Sequence, residues 1–201
     1  MRILIACEES QAVATAFREA GHEAYSCDIS ECSGGHPEYH IQGDVLEVIN
    51  QQWDMMIAHP PCTYLSNSGV RWLHTQEGRV DKMNEGALFF KAMLNATHIP
   101  KICVENPIPH KYAVKAWCGD KYTQIVQPYE YGHPESKATC LWLKGLPELK
   151  GTDDVKAEFK ALPKSEAQRL HYLPPSKDRA RLRSKTYAGI ANAMAQQWGT
   201  L

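Results

Sequence analysis

The 201-residue chain has no CxxC pair among its seven cysteines, no apolar run approaching the roughly 20 residues that span a bilayer, no internal repeat and no low-complexity tract. Each absence excludes a class. An odd cysteine count without paired spacing argues against a disulfide framework and for reduced thiols. The missing apolar run leaves no membrane span, and the opening MRILIACEES turns acidic too soon for a signal peptide, so a soluble, cytoplasmic protein with no membrane partner is expected. Charge of one sign is lacking too. The 22 Lys+Arg against 23 Asp+Glu leave a net −1, which excludes a uniformly basic nucleic-acid coat but not a local patch. With 43% hydrophobic residues, 13 Gly and 12 Pro the chain is neither disordered nor collagen-like, and its length fits one domain of about 100–200 residues.

What is present is an alternation of short apolar runs with segments of helical spacing. Arg2–Cys7 reads as a strand, and Gln11–Ala20 as a helix with Val13, Phe17 and Ala20 on one face, stopped by Gly21. Strands follow at Glu23–Cys27 and, after Ile41–Asp44 and a short helix, at Trp53–Ala58, which runs into His59-Pro60-Pro61-Cys62. Prolines force the backbone out of regular structure there. Val80, Met83, Ala87, Phe90 and Leu94 predict a helix over Val80–Thr97, Lys101–Val104 a strand ending at Glu105-Asn106-Pro107, and Ile125–Val126 and Thr139–Leu143 further strands. Such alternation implies an α/β fold with a mostly parallel sheet, helices on both faces and ligands at the carboxyl ends of the strands. Glu8, Asp28, Asp44, Cys62 and Glu105 all follow predicted strands and should converge on that edge.

The whole chain, 1–201, reads as a single catalytic domain. Residues 145–185 form a Pro- and Lys-rich surface excursion, with one short helix expected within residues 145–175, and 186–201 a terminal helix on Tyr187, Ile190, Met194 and Trp198. Between Lys164 and Lys185 lie seven basic and two acidic residues, a local +5 that leaves −6 for the rest. That strip is either a solvated linker or a phosphate-contacting surface.

Two short segments could do chemistry. Cys62, on a loop after a strand, is well placed for a nucleophile if its thiolate is stabilised, although most cysteines are buried and inert. Glu105 could protonate or hydrogen-bond a substrate ring nitrogen if an apolar surround raises its pKa; otherwise Glu105-Asn106-Pro107 merely starts a turn. Cys27, Cys32, His36 and His40 have spacing that could seat zinc, but no second pairing supports it and no metal is expected. Cys103 and Cys118 read as core or surface thiols, and Trp53, Trp72, Trp117, Trp142 and Trp198 as packing anchors. Trp72 and Tyr64, near Cys62, could also stack on a base.

Taken together, the segments resemble the cytosine-C5 DNA methyltransferases. Their nucleophile motif runs Pro-Cys-Gln, two residues, Ser, one residue, Ser-Gly, which Pro61, Cys62, Ser66, Ser68 and Gly69 match in register, with Thr63 in place of Gln. Glu105-Asn106 matches the family's Glu-Asn-Val, and Tyr131-Gly132-His133-Pro134-Glu135-Ser136-Lys137 is similar to its Tyr-Gly-Val-Pro-Gln-x-Arg segment. The likeness spans roughly residues 2–143 and the terminal helix. It implies a Rossmann-like, S-adenosylmethionine-dependent fold and methyl transfer to cytosine C5 through a Cys62 adduct with Glu105 on the ring edge. It further implies cofactor contacts from Glu8, Ser10, Asp28, Asp44 and Pro60, and substrate contacts from Pro61, Ser66, Asn106 and Lys137.

The departures are equally specific. The loop Cys7-Glu8-Glu9-Ser10-Gln11-Ala12 has no glycine where the family has several, so Glu8 and Glu9 are candidates to hold the cofactor's ammonium. Thr139 stands where the family has an arginine. Only residues 144–185 separate Leu143 from Thr186, where the family places a target-reading domain. The expected substrate is therefore cytosine in DNA, including single-stranded DNA, or DNA read with a protein partner. A free cytosine nucleotide is the near alternative, and an inactive nucleotide- or protein-binding module the alternative of another class. A phage or mobile-element setting would suit so small a modifying enzyme.

Overall fold

The computed structural model describes residues 1–117, 119 and 121–201. Cys118, expected to be an ordinary thiol, lies outside them. Seven strands form one sheet: β1 Arg2–Ala6, β2 Glu23–Asp28, β3 His40–Gln42, β4 Met55–Ala58, β5 Lys101–Pro107, β6 Gln124–Val126 and β7 Thr139–Lys144. Their spatial order is β3-β2-β1-β4-β5-β7-β6. The first five run parallel, whereas β7 is antiparallel to both β5 and β6.

The period-two alternation of β1 divides the core. Leu4 and Ala6 face α2 (Val45–Val48), α3 (Arg79–Leu94) and α4 (Lys111–Ala116), while Ile3 and Ile5 face α1 (Ala12–Glu19). Phe90 of α3 stacks on Trp117 at 4.2 Å, and Trp142 of β7 meets both edge-on. Each such fully buried side chain contributes about 1.5–3 kcal/mol of hydrophobic stabilisation. On the other face Phe17 of α1 packs with Met194 and Trp198 of the last helix. Gly21 ends α1 at φ +84°, where Gly21 N–H and His22 N–H donate to the Arg18 and Phe17 carbonyls.

Three expectations change. Val80 is exposed rather than part of the buried face of α3. Glu105, Asn106 and Pro107 do not begin a turn. They remain in β5 because they pair with Leu141, Cys140 and Thr139 of β7, a partner remote in sequence. Residues 145–175 hold three short helices, not one: α5 Lys156–Ala161, α6 Lys164–Ala167 and α7 Arg169–Tyr172, and α8 Arg179–Ser184 follows in the basic strip. Ala167 and Leu170 are buried, and Ser136 N–H donates to the Ala167 carbonyl, which ties the excursion to the segment before β7. The last helix, α9 Ala188–Trp198, starts against Tyr131-Gly132-His133: a Cβ on Gly189 would lie 1.9 Å from the Tyr131 carbonyl. No helix among the described residues is long and apolar enough to cross a membrane.

Candidate active site

The carboxyl ends of β1, β4 and β5 are neighbours in the sheet, so the segments that follow them meet at one edge. On the β1 side, Cys7 and Gln11 take left-handed backbone conformations at φ 59° and 54°, the geometry glycine would adopt without cost. Glu8 between them is buried. Its two carboxylate oxygens accept Val13 N–H (2.7 Å) and Ala14 N–H (3.2 Å), two of the otherwise unpaired amides that open α1. Burial raises the Glu8 pKa, while His59 and those amides pull against it.

Gln11, also buried, fastens the segment after β2 to this loop. Its Nε2 donates to Ser26 Oγ and the His36 carbonyl, and its Oε1 accepts from His36 N–H and Cys32 Sγ. Gly34 passes so close that a Cβ there would lie 2.5 Å from Gln11 Cβ. Glu9 accepts hydrogen bonds from Ser33, to its backbone carbonyl and to its side chain, and Ser10 is half-buried. Asp28 accepts Ser30 N–H through Oδ1, and Asp44 caps α2 by accepting Leu46 N–H through Oδ1, leaving Oδ2 of each without a hydrogen bond among the described residues. Cys27 and His40 bond to Gly43 and Ser26, and among the described residues no group of His, Cys, Asp or Glu is arranged to hold a metal ion.

On the other side, the Cys62 loop is a tight turn in which the Leu65 and Ser66 N–H groups donate to the Cys62 carbonyl. Ser66 is buried, its hydroxyl against Ser68, and its backbone bridges to Pro109 beyond β5. His110 locks the same seam. Its Nδ1 accepts Ala113 N–H, so Nε2 carries the proton and donates to the Tyr64 carbonyl at 2.9 Å. Pro60 is buried and Pro61 exposed.

Behind Cys62 sits a group of ionisable side chains. His59 Nδ1 lies 3.6 Å from Glu105 Oε1, close enough for a charge pair and longer than a hydrogen bond, and neither ring nitrogen has a hydrogen-bond partner. Burial works against the imidazolium, but the Glu105 carboxylate and then that of Glu8 outweigh it and raise the His59 pKa. Burial likewise works to raise the Glu105 pKa, but His59 and Lys137 outweigh it and hold the carboxyl below its usual range. The condition set for Glu105 as an acid, a pKa raised by an apolar surround, is thus opposed by His59 and Lys137. Lys137 donates to the Ser184 and Lys185 carbonyls, joining the basic strip to the site; burial lowers its pKa against the pull of Glu105 and Cys62. Burial and Glu105 raise the Cys62 thiol, whereas Lys137 and Arg183 favour its thiolate. Asn106 is fully buried, its Nδ2 donating to the Pro107 carbonyl and its Oδ1 without a partner. A cavity of about 10 Å³, lined by His59, Glu105, Lys137 and Tyr187 among others, adjoins the pair.

Cys62, Glu105 and Lys137 are therefore brought within electrostatic reach of one another, while Asp28 and Asp44 stand at the ends of β2 and β3. Sequence reasoning overlooked His59, Gln11 and His110. For His59 a signal existed, since it sits directly at the end of a strand and before Pro-Pro-Cys.

No protein-family model matches the chain, and no curated protein matches it by sequence. Among solved structures it resembles a prophage-encoded Escherichia coli protein described as a DNA modification methyltransferase, at TM-score 0.50 and 17% identity over 81% of this chain and 56% of that one. Schizosaccharomyces pombe Dnmt2 follows at TM-score 0.44 and 15% identity, over 89% of this chain and 61% of that one. A Spodoptera frugiperda DNMT2 mutant reaches TM-score 0.39 and 13% identity, over 76% and 54%. The chain spans between half and two thirds of the length of these proteins. With its strand order and reversed β7, the fold is a Rossmann-like α/β fold shared with the E. coli protein.

Proposed function

We propose that this protein transfers a methyl group from S-adenosylmethionine to C5 of cytosine in DNA, with Cys62 as nucleophile. The observation that carries the reading is the meeting of Cys62, Glu105 and Lys137 at the junction of β4, β5 and β7, where their charges act on one another. The E. coli neighbour with the same fold, described as a DNA modification methyltransferase, points the same way.

The residues around the ends of β1–β3 fit the cofactor. The second oxygens of Asp28 and Asp44 suit ribose hydroxyls and an adenine amino group, and Ser10 and Pro60 border the same edge. Glu8 supports this site from within by fixing the start of α1. S-adenosylmethionine, when bound, supplies the methyl group. Cys62 Sγ adds to ring carbon C6, which raises electron density at C5, and Lys137 and Arg183 favour the thiolate required. Pro61, Ser66 and Asn106 shape the walls around the ring.

His59 and Glu105 act as one unit holding one proton. As Sγ adds, the proton passes from His59 Nδ1 to the Glu105 carboxylate, and Glu105 donates it to cytosine N3. N3 then returns its proton to Glu105, the C5 hydrogen leaves as a proton to solvent water, and the electron pair it leaves re-forms the C5–C6 double bond as the Sγ–C6 bond breaks and Cys62 departs as thiolate.

A 5-fluorocytosine-containing oligodeoxynucleotide tests this reading, because fluorine at C5 cannot leave and the adduct is trapped. Mass spectrometry should find a cofactor-dependent adduct on Cys62, absent in Cys62→Ser. Methylation without any adduct would overturn the covalent mechanism, and no methylation of any cytosine substrate would overturn the reading itself. Affinity that falls steeply with salt identifies DNA; a flat salt response identifies a free nucleotide.

A further inference from the structure

Trp53, Trp117, Trp142 and Trp198 each expose 4% or less of their surface, whereas Trp72 exposes 40%. Trp72 ends the short helical segment Asn67–Trp72 that follows the Cys62 turn, and the Arg71 guanidinium lies 4.6 Å from its ring centre. Beyond β5, Tyr112 exposes 39% and Ile108 41%. His74 meets the Tyr112 ring edge-on at 5.4 Å, and Lys111 Nζ lies 5.1 Å from the centre of the same ring. A third ring, Tyr64, carries Arg79 at 4.9 Å and Lys82 at 5.8 Å.

These segments are fastened to each other. Asn67 N–H donates to the Ile108 carbonyl and His110 N–H to the Leu65 carbonyl, on either side of the Ser66–Pro109 bridge. Glu77 and Asp81 are the acids of the first segment; Ile108–Ala116 has none and carries Lys111 and Lys115. Scattered exposed apolar side chains need no explanation, but rings on segments fastened to the Cys62 turn, each with a cation at hand, match a polymer of flat bases on an anionic backbone.

We propose that Trp72, Tyr112 and Tyr64, with Arg71, Lys111 and Arg79, form a stacking platform for the unpaired DNA strand that flanks the target base. The identity of the occupant rests on the DNA reading above. Single-stranded DNA fits better than duplex, because bases inside a duplex already have both faces stacked and offer none to exposed rings. In a chain with only residues 144–185 where a target-reading domain would stand, this surface supplies grip on the strand without base-specific readout.

Trp72 makes the test direct, since its fluorescence reports from the platform while the other four tryptophans report from the core. The full chain carrying Cys62→Ser, which binds without turnover, is titrated with a cytosine-containing single strand, the matching duplex and deoxycytidine monophosphate. The single strand should quench emission and bind more tightly than duplex. Trp72→Phe should abolish the quenching while binding persists. Trp72→Ala and Tyr112→Ala should each weaken binding roughly fivefold to hundredfold. Arg71→Gln and Lys111→Gln should each lower the slope of log affinity against log salt by about 0.7. No quenching, tighter binding of duplex, or unchanged binding in both alanine variants would overturn the platform.

The two proposals fail separately. Quenching and Trp72-dependent binding in a protein that methylates nothing would leave the platform standing and remove the enzyme reading. DNA methylation whose KM is unmoved by Trp72→Ala and Tyr112→Ala would do the reverse.

Discussion

The two halves of the sheet's carboxyl edge are built on opposite principles. Around β1, β2 and β3 the acidic groups are held by backbone: Glu8 by the amides of Val13 and Ala14, Asp28 by Ser30, Asp44 by Leu46. Around β4, β5 and β7 they are held by one another: Glu105 faces His59 and Lys137, while both His59 nitrogens and Asn106 Oδ1 lack hydrogen-bond partners. A buried group satisfied by backbone builds structure. One whose charge depends on its neighbours' protonation is costly to keep and free to change state, which is what acid–base chemistry requires. The β1–β3 half is thus a scaffold, and the β4–β7 half a cluster of mutually dependent charges.

Substitutions separate the two. The largest effect falls on Cys62→Ser, for which methyl transfer should drop by about 10⁴-fold or more with the unfolding midpoint unmoved, read from labelled cofactor and thermal denaturation. Glu105→Gln should cost about 10²–10⁴-fold in rate, since the amide neither relays a proton nor sustains the imidazolium. An NMR titration of His59 in that variant should show its pKa falling from its raised position.

His59→Gln should slow turnover about tenfold to hundredfold and change the pH profile. In the parent, activity should fall as pH rises through the His59 value, above the ordinary 6.5, and this limb should vanish in the variant. Stability has its own signature. A raised histidine contributes fully below pH 6.5 and loses that contribution as pH rises through its folded value. A lowered carboxyl contributes above pH 4.5 and loses it as pH falls through its folded value. The pair therefore supports the fold most between those two pH values, and His59→Gln should lower stability in that window and remove the pair's losses above and below it.

On the scaffold half the readout reverses. Glu8→Ala leaves two helix-opening amides unpaired in a buried place and should cost about 2–3 kcal/mol of stability. Gly34→Ala, whose Cβ would press on Gln11, should cost about 1–2 kcal/mol and weaken cofactor binding measured by calorimetry. If instead Glu8→Ala leaves stability intact while Glu105→Gln unfolds the chain, the contrast between the halves is wrong.

Much of this was legible in advance for local reasons. Apolar runs such as Ile3–Ala6 and Met55–Ala58 mark buried strands, Gly21 stops α1, and the prolines before Cys62 mark the loop that follows β4. Less legible were features that depend on remote partners. Glu105-Asn106-Pro107 looks like a turn until β7 pairs with it. Trp72 looks like another packing anchor until its exposure sets it apart. The left-handed backbone at Cys7 and Gln11 has no marker in a loop without glycine.

By itself, the sequence determined the alternation of strands and helices and the placing of acids and Cys62 at strand ends, because periodicity and chain order are local properties. Only the tertiary structure decided which charges surround Glu105. Whether Glu105 is an acid or a carboxylate depends on His59 and Lys137, delivered by other strands and segments, and on burial that exists only once the sheet has closed over them.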